Sequence, residues 1–280
     1  MRIICFQDEH GQVQWGDDQE DGTAVVLAGS PYAWLQPTDS TVAISRVLAP
    51  LRPPVVLAIG RNYAAHAAEG GAEPPKNPVV FYKNPGAVIG PGDAIRIPSF
   101  CMDPPQVDYE VELGVVLGTT ARDVPVETAL DHVLGYTIGN DVSARRWQRK
   151  LGQWSYAKSF DTFCPLGPCI VTRDLIPDPQ NLRLITRVDG EVLQDANTSA
   201  MIFSVAELIS FLSQATTLLP GTVILTGTPE GVGFAREPRF WLQPGMEVEL
   251  EIEGIGVLSN PVRGPALHTA KPGCGCGCGQ

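Results

Sequence analysis

No apolar run in this sequence reaches the roughly 18–20 residues that a membrane-spanning helix requires, which argues against a transmembrane protein. Basic side chains are few: 20 Lys and Arg stand against 31 Asp and Glu, a net charge of −11. A nucleic-acid binder needs a basic footprint, so this balance argues against that class. The first thirty residues hold one basic side chain, Arg2, against six acids. That is unlike a mitochondrial transit peptide, and no signal-peptide core is visible. The cytoplasm is therefore the expected compartment, with a mitochondrial location the alternative. A disulfide framework is also missing. Four of the seven cysteines, at positions 5, 101, 164 and 169, are scattered singly and read as reduced, mostly buried thiols. Charged residues make up only 18% and hydrophobic residues 44% of 280. Such a chain is globular and long enough to bury a substantial core.

The most informative stretch present is Gln106–Leu117. It alternates and then turns wholly apolar, as a strand does, and side chains two apart in a strand share a face. Asp108, Glu110 and Glu112 are thus expected on one side, with Val107, Tyr109, Val111 and Leu113 on the other. Three crowded carboxylates repel one another unless protonated or bound to a cation. An oxygen-only ligand set suits a hard divalent ion, Mg²⁺ first, then Mn²⁺ or Ca²⁺. A strand with an acidic solvent face would give the same pattern. Downstream, Gly135–Asp141 reads as a strand and Val142–Gln148 as the start of a helix. Asp141 at that junction is well placed to meet a ligand, although Asp is also a favoured helix N-cap.

Elsewhere, the Ala-rich segment Arg61–Glu69 is helical by propensity. It sets His66 and Glu69 three apart on one face, where a carboxylate can orient an imidazole as a general base or form an ordinary surface pair. Lys158 lies in an aromatic neighbourhood, Trp154 to Phe160, where a desolvated lysine could hold or shuttle a proton. Lys83 could face the pocket, although a structural lysine is the preferred reading. The strand Thr222–Thr226 runs into Gly227-Thr-Pro-Glu-Gly-Val-Gly233, which lacks the Gly-Lys-Ser/Thr ending of a phosphate-binding loop. Its glycines let backbone approach a ligand, and Thr228 can donate to a carboxylate. A capping box at Ser204 and Glu207 starts a helix expected to reach about Leu218. Glu247–Glu253 alternates as a strand with a solvated acidic face, and Asp189-Gly190 turns a hairpin.

The Glu-x-Glu strand at 110–112, Asp141-Val-Ser-Ala-Arg145, Ala157-Lys-Ser-Phe-Asp-Thr-Phe163 and Leu225-Thr-Gly-Thr-Pro-Glu-Gly-Val-Gly233 occur in that order. Together they resemble the fumarylacetoacetate hydrolase family, from about Val55 to Val262. The run Lys158–Pro168 is nearest to the branch containing oxaloacetate tautomerases and acylpyruvate hydrolases. The resemblance implies an α+β, β-rich fold, a mixed β-sandwich roll. A small N-terminal β domain (residues 1–50) would precede the catalytic domain (51–263), with a Gly/Cys-rich tail (264–280) after it. The resemblance also implies a homodimer. Glu110, Glu112 and Asp141 would bind Mg²⁺ or Mn²⁺. Arg145, Gln148 and Thr228 would bind substrate. Lys158 would be catalytic, with His66 and Glu69 as a dyad on a lid. The implied substrate is a small 2-oxo acid with a second carbonyl. One enolisation then leads to tautomerisation, C–C hydrolysis or decarboxylation. A catalytically silent relative that binds a 2-oxo acid is the contrasting expectation. The tail, with Cys274, Cys276 and Cys278, reads as a disordered end that could alternatively bind a soft metal.

Overall fold

A computed structural model describes residues 1–265, so the cysteines of the tail lie outside the described residues. Strands dominate. A 12-stranded sheet carries the central core along the order Trp34–Ala43, Thr23–Ser30, Val13–Asp18, Arg2–Gln7, Cys164–Thr172, Val133–Asn140, Val111–Leu117, Val223–Leu225, Val56–Gly60 and Val79–Lys83. Through Arg2–Gln7, which pairs antiparallel with Cys164–Thr172, the N-terminal strands continue this sheet. A five-stranded sheet runs Glu191–Asn197, Arg183–Val188, Glu247–Ile252, Gly256–Arg263, Ile95–Arg96. No described helix is long and apolar enough to cross a membrane.

The strand Val111–Leu117 is buried along its whole length. Val111, Leu113 and Val115 pack into one hydrophobic cluster and Val116 into another. Both faces are thus covered, and a solvent-facing acidic strand is ruled out here. Glu247–Ile252 does have the expected solvated face, with glutamates half-buried and Val248, Leu250 and Ile252 buried.

The helix expected over Arg61–Glu69 begins at Ala64, and three further boundaries differ because long-range pairing overrides the local signal. The strand at 106–117 breaks at Tyr109–Glu110. Val107–Asp108 pairs instead with Ser143–Ala144. That pairing also delays the next helix, which begins at Arg145 rather than Val142 and has Ala144, not Asp141, as its N-cap. The helix capped by Ser204 and Glu207 stops at Ser213. Beyond it, Asp123 accepts a hydrogen bond from the Ala215 amide (2.7 Å), and Leu218 bridges to Ala121. A fourth N-terminal strand, Trp34–Ala43, was not foreseen, since its Pro37 and run of polar residues mask an edge strand.

Cys5, Cys101, Cys164 and Cys169 are free and buried. Burial pushes the Cys101 and Cys164 thiols up to about 12 and Cys169 up to about 11. These thiols stay neutral at pH 8, and the thiolate is the reactive form. Iodoacetamide at pH 8 is therefore expected to leave peptides containing these four cysteines unmodified in the native protein and to label them all in urea. Rapid native labelling of any of them, read by mass spectrometry, would contradict this burial.

Candidate active site

The sheet gathers the polar residues at one end of its central strands. Val111–Leu117 is antiparallel to both Val133–Asn140 and Val223–Leu225, and the latter is parallel to Val56–Gly60. The start of the first strand therefore meets the ends of the other three. Glu110 and Glu112 sit at that start, Asp141 follows Asn140, Thr228 follows Leu225, and Arg61 and His66 follow Gly60. The Asp141 amide donates to the Glu110 carbonyl (2.9 Å), tying two of the acids together through backbone. Gly227, at φ +98°, turns its amide onto Glu112 Oε2 (2.9 Å). A side chain there would collide with Asn62, 2.7 Å from the Cβ position.

One oxygen from each of Glu110, Glu112 and Asp141 lies within 4.8 Å of the others, and all three residues are buried. Lys158 donates to Glu110 Oε2 (2.6 Å), Asp141 Oδ2 (2.5 Å) and Ser143 Oγ (2.7 Å). Lys83 donates to the other Asp141 oxygen (2.5 Å). Arg145 donates from Nε to Asp108 Oδ2 (2.8 Å). Its Nη2 lies 2.6 Å from Glu110 Oε1 but is too poorly aligned to form a hydrogen bond. Four buried carboxylates, counting Asp108, thus face three buried bases, and one negative charge is left uncompensated. Glu112 is the one of the four without an ion pair. Burial, then repulsion from Asp141 and Glu110, raises its pKa well above the usual range, and burial raises the Asp108 pKa as well. Burial works the same way on Glu110, but Arg145 and Lys158 outweigh it and hold that carboxyl low. For Lys158, burial is overcome by Asp141 and Glu110, and the ammonium is stabilised. An all-oxygen donor set with excess negative charge, shielded from water, fits a divalent cation. The triad could hold a metal ion.

His66 and Glu69 form the expected pair. Glu69 Oε1 lies 2.8 Å from His66 Nδ1, and Oε2 accepts from the Gly231 amide (2.8 Å). A carboxylate only accepts, so Nδ1 carries the proton and Nε2 is left free. The pair sits on the helix Ala64–Glu69, at whose start Asn62 bonds to the carbonyls of Phe203 and Thr226 and to the Phe203 amide. A cavity of about 190 Å³ is lined by His66, Glu110, Glu112, Asp141, Arg145, Gln148, Lys158 and Thr228, together with Arg61, Phe81, Trp154 and Phe234 among others. That exceeds the roughly 150 Å³ of an apolar cavity able to take up benzene, which is room for a small acid.

A family model for the fumarylacetoacetate hydrolase C-terminal domain matches residues 55–263. The chain belongs to the fumarylacetoacetate hydrolase family. It is 48% identical over 218 residues to oxaloacetate tautomerase FAHD2A, mitochondrial, of Bos taurus, covering 77% of this chain and 68% of that one. Among solved structures, 5-carboxymethyl-2-hydroxymuconate delta-isomerase from Mycobacterium smegmatis superposes with a TM-score of 0.83 at 43% identity, over 94% of this chain and 100% of the other. Fumarylacetoacetate hydrolase from Exiguobacterium antarcticum gives 0.79 at 36%, over 94% and 99%. The expected family and the β-rich α+β fold are therefore established, and the family is one of enzymes.

Of the residues the sequence singled out, eight line this one cavity, and Glu69 stands behind His66. Asp108 departs from expectation. It does not share a face with Glu110 and Glu112, because the strand breaks between them. It accepts instead from the amides of Gly233 (2.8 Å) and Phe234 (3.1 Å) and from Arg145, joining the glycine-rich loop to that guanidinium. Two contributors were underrated. Lys83, read first as structural and only second as facing the pocket, grips Asp141. Gln194, read only as part of a hairpin, donates to Thr228 Oγ (2.9 Å) and so leaves the threonine hydroxyl hydrogen free for a ligand. Neither residue carries a local motif. The burial of Gln194 beside Leu193 breaks strand alternation and is seen only in the structure.

Proposed function

We propose that this chain is a divalent-metal-dependent enolising enzyme acting on a small 2-oxo acid, with keto–enol tautomerisation of oxaloacetate as its principal reaction. The observation that carries the reading is a small cavity lined by both a buried carboxylate triad and His66, which is paired with Glu69. The activities for which the tautomerase and isomerase relatives are named support it, since both reactions move a proton and a double bond without cleaving carbon.

A bound Mg²⁺ or Mn²⁺, with Ca²⁺ a weaker fit, would supply Lewis-acid polarisation of the 2-oxo acid. Glu110, Glu112 and Asp141 would hold it. Arg145 and Gln148, linked by a 3.2 Å hydrogen bond, together with Thr228, would orient the substrate carboxylate. Lys158 would offset the negative charge that builds on the C2 oxygen. His66 Nε2 would take the C3 proton and return it at oxygen or carbon, while Glu69 keeps Nδ1 protonated and stabilises the imidazolium. The helix Ala64–Glu69 would close the cavity against water. A second reading, C–C hydrolysis of acylpyruvates, is favoured by the solved fumarylacetoacetate hydrolase neighbour and would use His66 to activate water. Decarboxylation of oxaloacetate would start from the same enolisation. A homodimer belongs to this proposal too. The mitochondrial location in the tautomerases' names is theirs.

The test offers enol-oxaloacetate and acetylpyruvate in parallel with Mg²⁺, following enol absorbance and released acetate. Rapid enol loss without acetate is expected. Acetate release at comparable rates would favour the hydrolase reading, and inactivity on both substrates would overturn the tautomerase proposal.

A further inference from the structure

The cavity mouth carries two guanidinium groups that the chemistry above leaves unused. Arg61 and Arg149 both line the cavity, both are exposed, and among the described residues neither has a carboxylate in ion-pair range. Arg61 is held there by a built arrangement. Gly60, the last residue of its strand, has no side chain, and the Trp154 ring fills that space, with Cζ3 only 2.2 Å from where a Cβ would stand. Phe81 supports the same ring edge-on, 5.6 Å between centroids. Arg61 then adopts φ +58°, a left-handed conformation uncommon for a residue with a side chain, and stacks its guanidinium over Trp154, 5.5 Å from the ring centroid. The backbone on either side is fixed by the strand Val56–Gly60 and by the three hydrogen bonds of Asn62. Trp154 in turn opens the helical turn whose carbonyl accepts from the Lys158 amide, so the platform and the inner lysine share one support (3.2 Å).

Charge balance says what such a group is for. Counted as residues, the buried interior holds one carboxylate more than it holds bases. A divalent cation would turn that into one positive charge, which a single substrate carboxylate neutralises. A second carboxylate on the same substrate therefore needs its own cation. We infer that Arg61, seated on Trp154 and assisted by Arg149, is the specificity-determining residue that anchors the distal carboxylate of an oxaloacetate-like substrate and disfavours 2-oxo acids ending in a neutral group. The assignment rests on the site reading above for the position of the first carboxylate. Arg suits the role because its planar fork stays charged and pairs with a carboxylate while stacked on an aromatic ring.

The test uses the full chain loaded with Mg²⁺ and two pairs of probes matched in length, oxaloacetate against 2-oxobutanoate and 2-oxoglutarate against 2-oxovalerate, titrated by calorimetry. In the wild type, the distal carboxylate is expected to tighten binding about tenfold or more in at least one pair. Arg61→Gln should reduce that advantage to less than about twofold, Arg61→Lys should restore part of it, and Mg²⁺ affinity should be unchanged. A merely structural role would weaken the diacid and its monoacid partner alike. Equal binding within both pairs by the wild type, no binding of any probe, or an advantage that survives Arg61→Gln would each overturn the assignment. Discrimination that depends on Arg61, without enolisation of oxaloacetate, would leave this inference standing and sink the catalytic one. Enolisation with no preference for the diacid would do the reverse.

Discussion

Glu112→Gln is expected to make the metal-free protein more stable and to abolish its response to Mg²⁺. Glu112 is fully buried among Asp141 and Glu110, and it carries the charge that the neighbouring bases do not offset. Its folded-state pKa is raised above the ordinary carboxylate value. Its contribution to stability is therefore fully present below the unfolded-state pKa and lost as pH rises through the folded one. At neutral pH, where the unfolded-state carboxyl is ionised, burying this side chain beside Asp141 and Glu110 opposes folding. Glutamine keeps the shape, and its carbonyl can still accept the Gly227 amide, but the repulsion is gone. Each unit by which folding raises a pKa corresponds to about 1.4 kcal/mol, so in EDTA at pH 7 Tm should rise by roughly 2–4 °C or more for a chain of this size. The same change removes an anionic ligand. Mg²⁺ affinity is expected to fall by more than the roughly 10–100-fold typical of altering an outer partner of a metal site, and turnover should fall with it. Scanning fluorimetry in EDTA and in MgCl₂ checks both halves. A variant that is destabilised in EDTA yet still stabilised by Mg²⁺ would remove Glu112 from the ligand set.

His66→Ala should separate proton transfer from metal binding. A positioned general base or acid contributes about 10²–10⁴-fold, and a loss of kcat in that range is expected for enol-oxaloacetate. The shift of Tm with Mg²⁺ should stay as in the wild type, because the imidazole is not one of the three clustered ligands. The deleted ring borders the cavity, where water can fill the space, so the fold should tolerate the change. Glu69→Gln should fall between wild type and His66→Ala. An amide can still accept from Nδ1–H, but it no longer stabilises the imidazolium. Wild-type turnover by His66→Ala would hand the proton to another group, for which Lys158 in the same cavity is the alternative.

What was legible in the sequence follows from how far each signal reaches along the chain. Ordered local motifs carried the family, the Glu-x-Glu pair, Asp141, the His66–Glu69 spacing and Lys158. Two residues three apart on a helix, or two apart on a strand, are neighbours by backbone geometry alone. The capping box at Ser204 and the Asp189-Gly190 turn were legible for the same reason. The whole of Gln106–Leu117 also alternates like one strand, and local periodicity offers no sign that it breaks at Tyr109–Glu110.

That break was decided by tertiary pairing. Val107–Asp108 finds a better partner in Ser143–Ala144, which turns Asp108 away from the triad and onto Arg145, Gly233 and Phe234. Lys83 against Asp141, Gln194 behind Thr228, and Arg61 on the Trp154 ring are likewise contacts between segments 34 to 93 residues apart. The sequence by itself determined the kinds of groups this protein possesses and which of them are neighbours along one helix or strand. Which carboxylates lack a counter-charge, and which arginines remain free at the cavity mouth, depends on distances between remote segments. Those distances exist only once the sheet has brought the start of one strand to the ends of three others.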